Sequence, residues 1–106
     1  MQKPVTILAP IKLATGKTEA DLLAASERFQ SEFVSKEAGV IRRELVRTPD
    51  GNYIDIVQFR SAEDVEDITE KEKKSAVCHA FFAVMDFSDM DMEAGMELHQ
   101  SLATYP

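Results

Sequence analysis

A chain of 106 residues is one domain by size, able to bury one modest core without disulfide or metal staples. Its 44% hydrophobic and 29% charged residues are ordinary for a soluble globular protein, and the single Cys78 excludes an internal disulfide, which suits a reducing cytoplasm. The net charge of −7 is concentrated in residues 61–95, with three Lys against ten Asp/Glu, and such an acidic face disfavours nucleic acid and anionic membranes. This face reads as a solvated helix surface, with an acidic partner-binding surface as the competing reading. The apolar stretch from Val5 to Ile11 is too short to span a bilayer, contains Pro10 and precedes Lys12, so neither a membrane nor a secretory segment is expected.

Val5, Ile7, Ala9, Ile11 and Leu13 fall at period two and predict a strand over 5–13. Thr15-Gly16-Lys17 breaks it, and Thr18 with Asp21 three residues on has the form of a capping box. Leu22, Ala25, Phe29 and Phe33 make the stripe of an amphipathic helix over 18–37, which Gly39 is expected to end by adopting positive φ. Residues 40–47 and 53–60 alternate again around Thr48-Pro49-Asp50-Gly51-Asn52, a hairpin whose type I turn is set by Pro49 and closed by Gly51. That register places Leu45 opposite Asp55, with Arg43 and Arg47 diagonal to the carboxylate. Ser61 and Asp64 cap the next helix, whose apolar stripe of Val65 and Ile68 lapses in Thr69-Glu70-Lys71-Glu72-Lys73-Lys74. A second helical segment runs from Ser75 to about Met85 and is apolar nearly all round, which predicts burial on two sides, against a cavity or another subunit. Asp86–Gly95 suits an extended segment with Met inward, and 96–104 a last strand. The order is β-α-β-β-α-β.

Gly39-Val40-Ile41-Arg42-Arg43-Glu44-Leu45, the polar hairpin turn, and the strand from Tyr53 to Phe59 running through Arg60 into capping Ser61 resemble the dimeric α+β-barrel superfamily. Within it the chain is similar to the antibiotic-biosynthesis-monooxygenase-like group. The resemblance implies an α+β, ferredoxin-like βαββαβ domain over residues 1–106, with a four-stranded antiparallel sheet, helices on one face, and pairing with a second copy into a dimeric barrel. Relatives include cofactor-free oxygenases acting on aromatic polyketides and haem-degrading enzymes. The haem-degrading branch uses a Trp and a helix His. This chain has no Trp, carries Phe59 where many relatives carry Trp, and surrounds His79 with neither the aromatic nor the Asn of that signature. No cofactor is therefore expected.

His79 is the first candidate base, since an unperturbed imidazole titrates near neutrality; the competing reading is a solvent-side or interface histidine paired locally. Cys78 diverges from it by about 100° on a helix, so the two cannot form a nucleophile–base pair, and Cys78 reads as a buried structural thiol. His99 reads as an ordinary half-exposed strand residue. Arg43, Arg47, Tyr53 and Asp55 form a second set, able to hold an enolate or carboxylate with Asp55 fixing the geometry, or else a cross-strand salt-bridge patch at a sheet edge or dimer contact. Asp86, Asp89, Asp91 and Glu93 lack the glycine and spacing of a calcium loop. Gly16-Lys17-Thr18 lacks the upstream glycine of a phosphate loop, that place being Ile11. With one Cys and two distant His, no transition metal is expected either.

With these residues, the resemblance implies a cytoplasmic homodimer with monooxygenase-like chemistry on a small aromatic or quinone-like substrate. His79 would be the base, Tyr53 and Arg43 the oxyanion donors, and Asp55 their anchor. The alternative is a non-catalytic homodimeric module that binds a small apolar ligand or a protein partner.

Overall fold

Period-two alternation builds the sheet. In the computed structural model, which describes residues 3–87 and 98–105, the strands are β1 (Val5–Ile11), β2 (Val40–Arg47), β3 (Tyr53–Phe59) and β4 (Leu98–Gln100). They form one antiparallel sheet in the order β2-β3-β1-β4. The helices are α1 (Glu19–Glu32), α2 (Ala62–Glu72) and α3 (Ala76–Phe82), with a 3-10 turn at Val34–Lys36. This is the ferredoxin-like α+β arrangement, with the second helix in two pieces.

One face of the sheet is covered. Ile11 and Tyr53 pack with Leu22 and Phe29 of α1 and Cys78 and Phe81 of α3, while Val5, Ile7 and Phe59 pack with Ile68 of α2. Burying a side chain of this size contributes roughly 1.5–3 kcal/mol, so these two clusters carry most of the fold's stability. The other face is open in the single chain, where Leu8 lies 44% exposed. No helix among the described residues is long and apolar enough to cross a membrane.

Local chemistry explains most boundaries. Thr18 Oγ1 accepts from Asp21 N–H, and the Asp21 carboxylate accepts from Thr18 N–H, a complete capping box on α1. Ser61 caps α2 through Asp64 N–H, and Ser75 caps α3 through Cys78 N–H. The hairpin turns with Gly51 at φ 87° and its N–H bonded to Thr48 O, and Leu45 does face Asp55. Between Val40 and Arg42 the register slips, leaving Ile41 as an extra residue. This bulge matters to the site. Val40 and Arg43 are an odd number of residues apart, yet the bulge lets both point under the helices.

Four expectations need correction. The first strand ends at Ile11, and Leu13 survives only as an isolated bridge to Met85. α1 ends at Glu32 rather than 37, because the chain tightens into the 3-10 turn that carries Val34 into the core. Gly39 does not take positive φ; a side chain there would place its Cβ 2.8 Å from Asp64 Cβ, so close approach to the α2 cap excludes one. α3 buries Cys78 and Phe81 but leaves Ala76, His79 and Ala80 exposed, so in the single chain it is covered on one side only. The extended Asp86–Gly95 segment, its Met residues and the start of the last strand fall mostly at 88–97, outside the described residues.

Gly39→Ala is expected to cost about 1–3 kcal/mol in urea denaturation, since relieving the overlap must displace Asp64 from the α2 cap. The Gly39→Ala, Asp64→Ala double variant should show less than the sum of the two single losses.

Candidate functional site

The bulge in β2 delivers Arg43 to the covered face, and Asp55 on β3 meets it there. Arg43 Nε donates to Asp55 Oδ2 at 3.0 Å, with both side chains under a tenth exposed. Nη2 donates to Ser26 Oγ of α1 at 2.7 Å, and Nη1 reaches the Ser26 carbonyl at 3.4 Å. The guanidinium carbon lies 5.0 Å from the Phe29 ring centre and 5.2 Å from that of Phe81, and those rings stack on each other at 4.5 Å. One cation is thus held by a carboxylate, a hydroxyl and two aromatic rings, a combination that offsets much of its desolvation.

Asp55 is only half used. Its Oδ1 is buried with no hydrogen-bond partner among the described residues. Burial pushes its carboxyl above the ordinary value, with Arg43 pulling the other way. Next to it on the same face, Tyr53 Oη donates to Glu19 Oε1 at 3.2 Å, and Arg47 Nη1 donates to the same oxygen at 3.0 Å. Burial, then Glu19, raises the Tyr53 phenol. Three of the four residues in the sequence set, Arg43, Tyr53 and Asp55, are therefore inside, under α1 and α3. Arg47 is at the rim, two-thirds exposed. Arg43 and Arg47 come from β2, the edge strand of the sheet, and Tyr53 and Asp55 from β3 beside it.

His79 is elsewhere. It sits on the exposed side of α3, where its Nε2–H donates to the Lys73 carbonyl at 2.8 Å. The structure does not bring it to Arg43 or Asp55. Cys78 is buried, and burial raises its thiol. His99 is exposed on β4 opposite Thr6. Asp86 is half-buried with its N–H bonded to Lys12 O, and Asp89, Asp91 and Glu93 lie outside the described residues. No cluster of three metal-ligating side chains occurs among the described residues.

Two residues escaped the sequence reading. Ser26 follows Leu22 by four and precedes Phe29 by three, so it shares their buried face. Glu72 follows Val65 and Ile68 at steps of three and four, which turns it inward although its neighbours are charged and exposed. Burial, then the negative charge of Asp55, pushes the Glu72 carboxyl up to about 7.

On the outer face of the sheet a cavity of about 240 Å³ opens between Thr6, Arg42, Gln58, Ser101 and Thr104. Gln58 is buried there; its Nε2 donates to Ser101 Oγ at 3.2 Å and Thr104 Oγ1 at 3.0 Å, while Oε1 has no partner among the described residues. This volume falls below the roughly 300–1,000 Å³ typical of sites for drug-sized ligands.

Among solved structures, the chain is similar to SnoaB, a cofactor-independent oxygenase from Streptomyces nogalater, with a TM-score of 0.68 and 15% identity over 98% of this chain and 96% of that one. It is also similar to candidate antibiotic biosynthesis monooxygenases from Bordetella bronchiseptica (TM-score 0.69, 15% identity, 98% of this chain and 100% of that) and Caulobacter crescentus (TM-score 0.67, 15% identity, 98% and 92%). No protein-family model matches the chain, and no curated protein matches it in sequence. The fold is that of the antibiotic-biosynthesis-monooxygenase-like group of α+β barrels, as the resemblance in the sequence implied. At 15% identity the likeness is one of fold.

Arg43→Met should lower stability by about 3–5 kcal/mol in urea unfolding, because Asp55 is left as a buried charge without its partner. The Arg43→Met, Asp55→Leu double variant should recover most of that loss. Equal losses in the single and double variants would mean that side-chain packing, not charge pairing, sets the cost.

Proposed function

We propose that the protein catalyses cofactor-independent, monooxygenase-like oxidation of a small aromatic or quinone-like substrate at the covered face of the sheet. The observation that carries this reading is the Arg43 guanidinium, buried between Asp55 and the Phe29–Phe81 stack in a fold shared with a cofactor-independent oxygenase. Stacked rings suit an aromatic substrate. Arg43 and Tyr53 are donors for the oxyanion that forms when the substrate loses a proton, and Asp55 holds Arg43 in place. His79, the base expected from sequence, would have to act from the surface of α3. The reaction balances with dioxygen as sole oxidant, one anthrone methylene and one O₂ giving one quinone carbonyl and one water.

The outer face supports pairing with a second copy. Leu8 is 44% exposed there, the bulged Ile41 is 50% exposed on β2, and Tyr105 beside the outer-face cavity is 82% exposed. Covering such a face takes an interface on the order of 2,000 Å² in total. Light scattering at micromolar concentration is expected to give twice the chain mass, and a monomer there would remove the dimer from this reading.

The second reading is the non-catalytic homodimeric module. The outer-face cavity favours it, since that cavity is away from Arg43 and Asp55. Oxygen uptake separates the two. Without added flavin or metal, an aerobic screen of anthrone and quinol compounds should show one O₂ consumed per quinone formed, with Arg43→Gln lowering kcat/KM by roughly 10²-fold. No uptake above the buffer rate for any compound favours the binding module.

A further inference from the structure

The outer face of the sheet carries a polar row that takes no part in the covered face. Gln58 of β3 is in register with Arg42 of β2 on one side and Thr6 of β1 on the other. Their side chains therefore stand side by side across three strands. All three line the cavity of about 240 Å³, together with Ile56 and with Ser101, Thr104 and Tyr105 from the segment after β4. That segment is anchored across the face, since Ser101 N–H donates to Pro4 O at 3.0 Å.

The hydrogen bonds of this cavity leave groups over. Gln58 is only 6% exposed, and its Nε2 spends both hydrogens, on Ser101 Oγ at 3.2 Å and Thr104 Oγ1 at 3.0 Å. Its Oε1 is buried with no partner among the described residues, a costly state for an amide oxygen. Thr6 Oγ1 and Ser101 Oγ share one hydrogen bond at 2.7 Å, so one hydroxyl hydrogen of that pair is left over. Thr104 accepts from Gln58 and keeps its own. Arg42 gives one N–H to Glu44 at 3.0 Å, in an exposed pair that holds it weakly. The cavity thus presents one unmatched acceptor beside two hydroxyl hydrogens and a guanidinium.

We propose that this cavity binds a small hydroxy acid. The ligand's carboxylate, an acceptor only, takes the hydrogens of Arg42 and the two hydroxyls, and its own hydroxyl donates to Gln58 Oε1. A hydroxyl also suits the amide turned over, because it accepts as well as donates. Carboxylate and hydroxyl belong on adjacent carbons, since Arg42 and Gln58 are direct cross-strand neighbours, with Cβ atoms roughly 5 Å apart in such pairs. The volume equals that of about eight waters at roughly 30 Å³ each, which suits one ring or a short chain. Ile56 and Tyr105 give that part of the ligand an apolar wall. Arg43 and Asp55 lie on the opposite face, so the site stands whether or not the covered face is catalytic. It takes a polar ligand, where the second reading above expects an apolar one.

Amide-detected NMR titration of the full chain, in the oligomeric state it adopts in solution, tests this with mandelate as the probe. The amides of Thr6, Arg42, Gln58, Ser101 and Thr104 should shift together and saturate, with a Kd of about 1 mM or below. Phenylacetate lacks the hydroxyl and methyl mandelate the anionic carboxylate, and each should bind at least about 10-fold more weakly. Arg42→Met should bring mandelate to the affinity of methyl mandelate, and Gln58→Met to that of phenylacetate. Shifts that stay linear in mandelate, or shifts centred on Phe29, Arg43 and Phe81, overturn the proposal. So does equal affinity for mandelate and phenylacetate, or unchanged affinity in Arg42→Met. If Gln58→Met does not fold, the half-exposed Arg42→Met variant and the three ligands decide the matter.

Discussion

The interior of this protein is organised by one buried ion pair. Taking Arg43 and Asp55 out of water costs several kcal/mol for each ion, and their mutual attraction offsets this only when geometry and further hydrogen bonds are good. Each neighbouring element contributes to that. The β2 bulge turns Arg43 under the helices, α1 brings the Ser26 hydroxyl and carbonyl to its free nitrogens, and the rings of Phe29 and Phe81 from two helices lie 5.0 and 5.2 Å from its guanidinium carbon. An ammonium could not replace it. A lysine offers no planar fork for Asp55 and Ser26 together and no flat face for the rings.

The pair is asymmetric, and the asymmetry reaches Glu72. Arg43 directs Nε at Asp55 Oδ2 and an N–H of each Nη at α1, and Asp55 Oδ1 has no partner among the described residues. The uncompensated part of that charge is felt by Glu72, which burial has already stripped of water. Burial is the larger cause of the raised Glu72 carboxyl, and the negative charge of Asp55 the smaller. Cys78 is held as a neutral thiol chiefly by burial, with smaller contributions from the charges of Glu72 and Glu37.

Much of the fold was legible because the sequence states its turns and caps openly. Thr18, Ser61 and Ser75 each start the helix their side chains predict, and Pro49 with Gly51 sets the hairpin that puts Leu45 opposite Asp55. The errors share a cause. Gly39 looked like a helix stop because its only visible property is conformational freedom, whereas its actual constraint is the approach of Asp64, 25 residues away in the chain. The length of α1 was overestimated because Phe33 continues the apolar stripe while the backbone has already left the α-helix.

The site was half legible for a related reason. Arg43, Tyr53 and Asp55 were found because strand alternation fixes which side chains share a face once the turn is known. Their depth was not, since alternation cannot say which face the helices will cover or how a bulge changes the parity of Val40 and Arg43. His79 and Glu72 show the opposite case. An imidazole attracts notice because it titrates near neutrality unaided, and a glutamate in a run of charges does not. His79 meets solvent and a backbone carbonyl, while Glu72, four residues after buried Ile68, is carried by the helix into the company of Asp55. What raises the Glu72 carboxyl is burial on the inward face of α2, which no reading of residue type alone would locate.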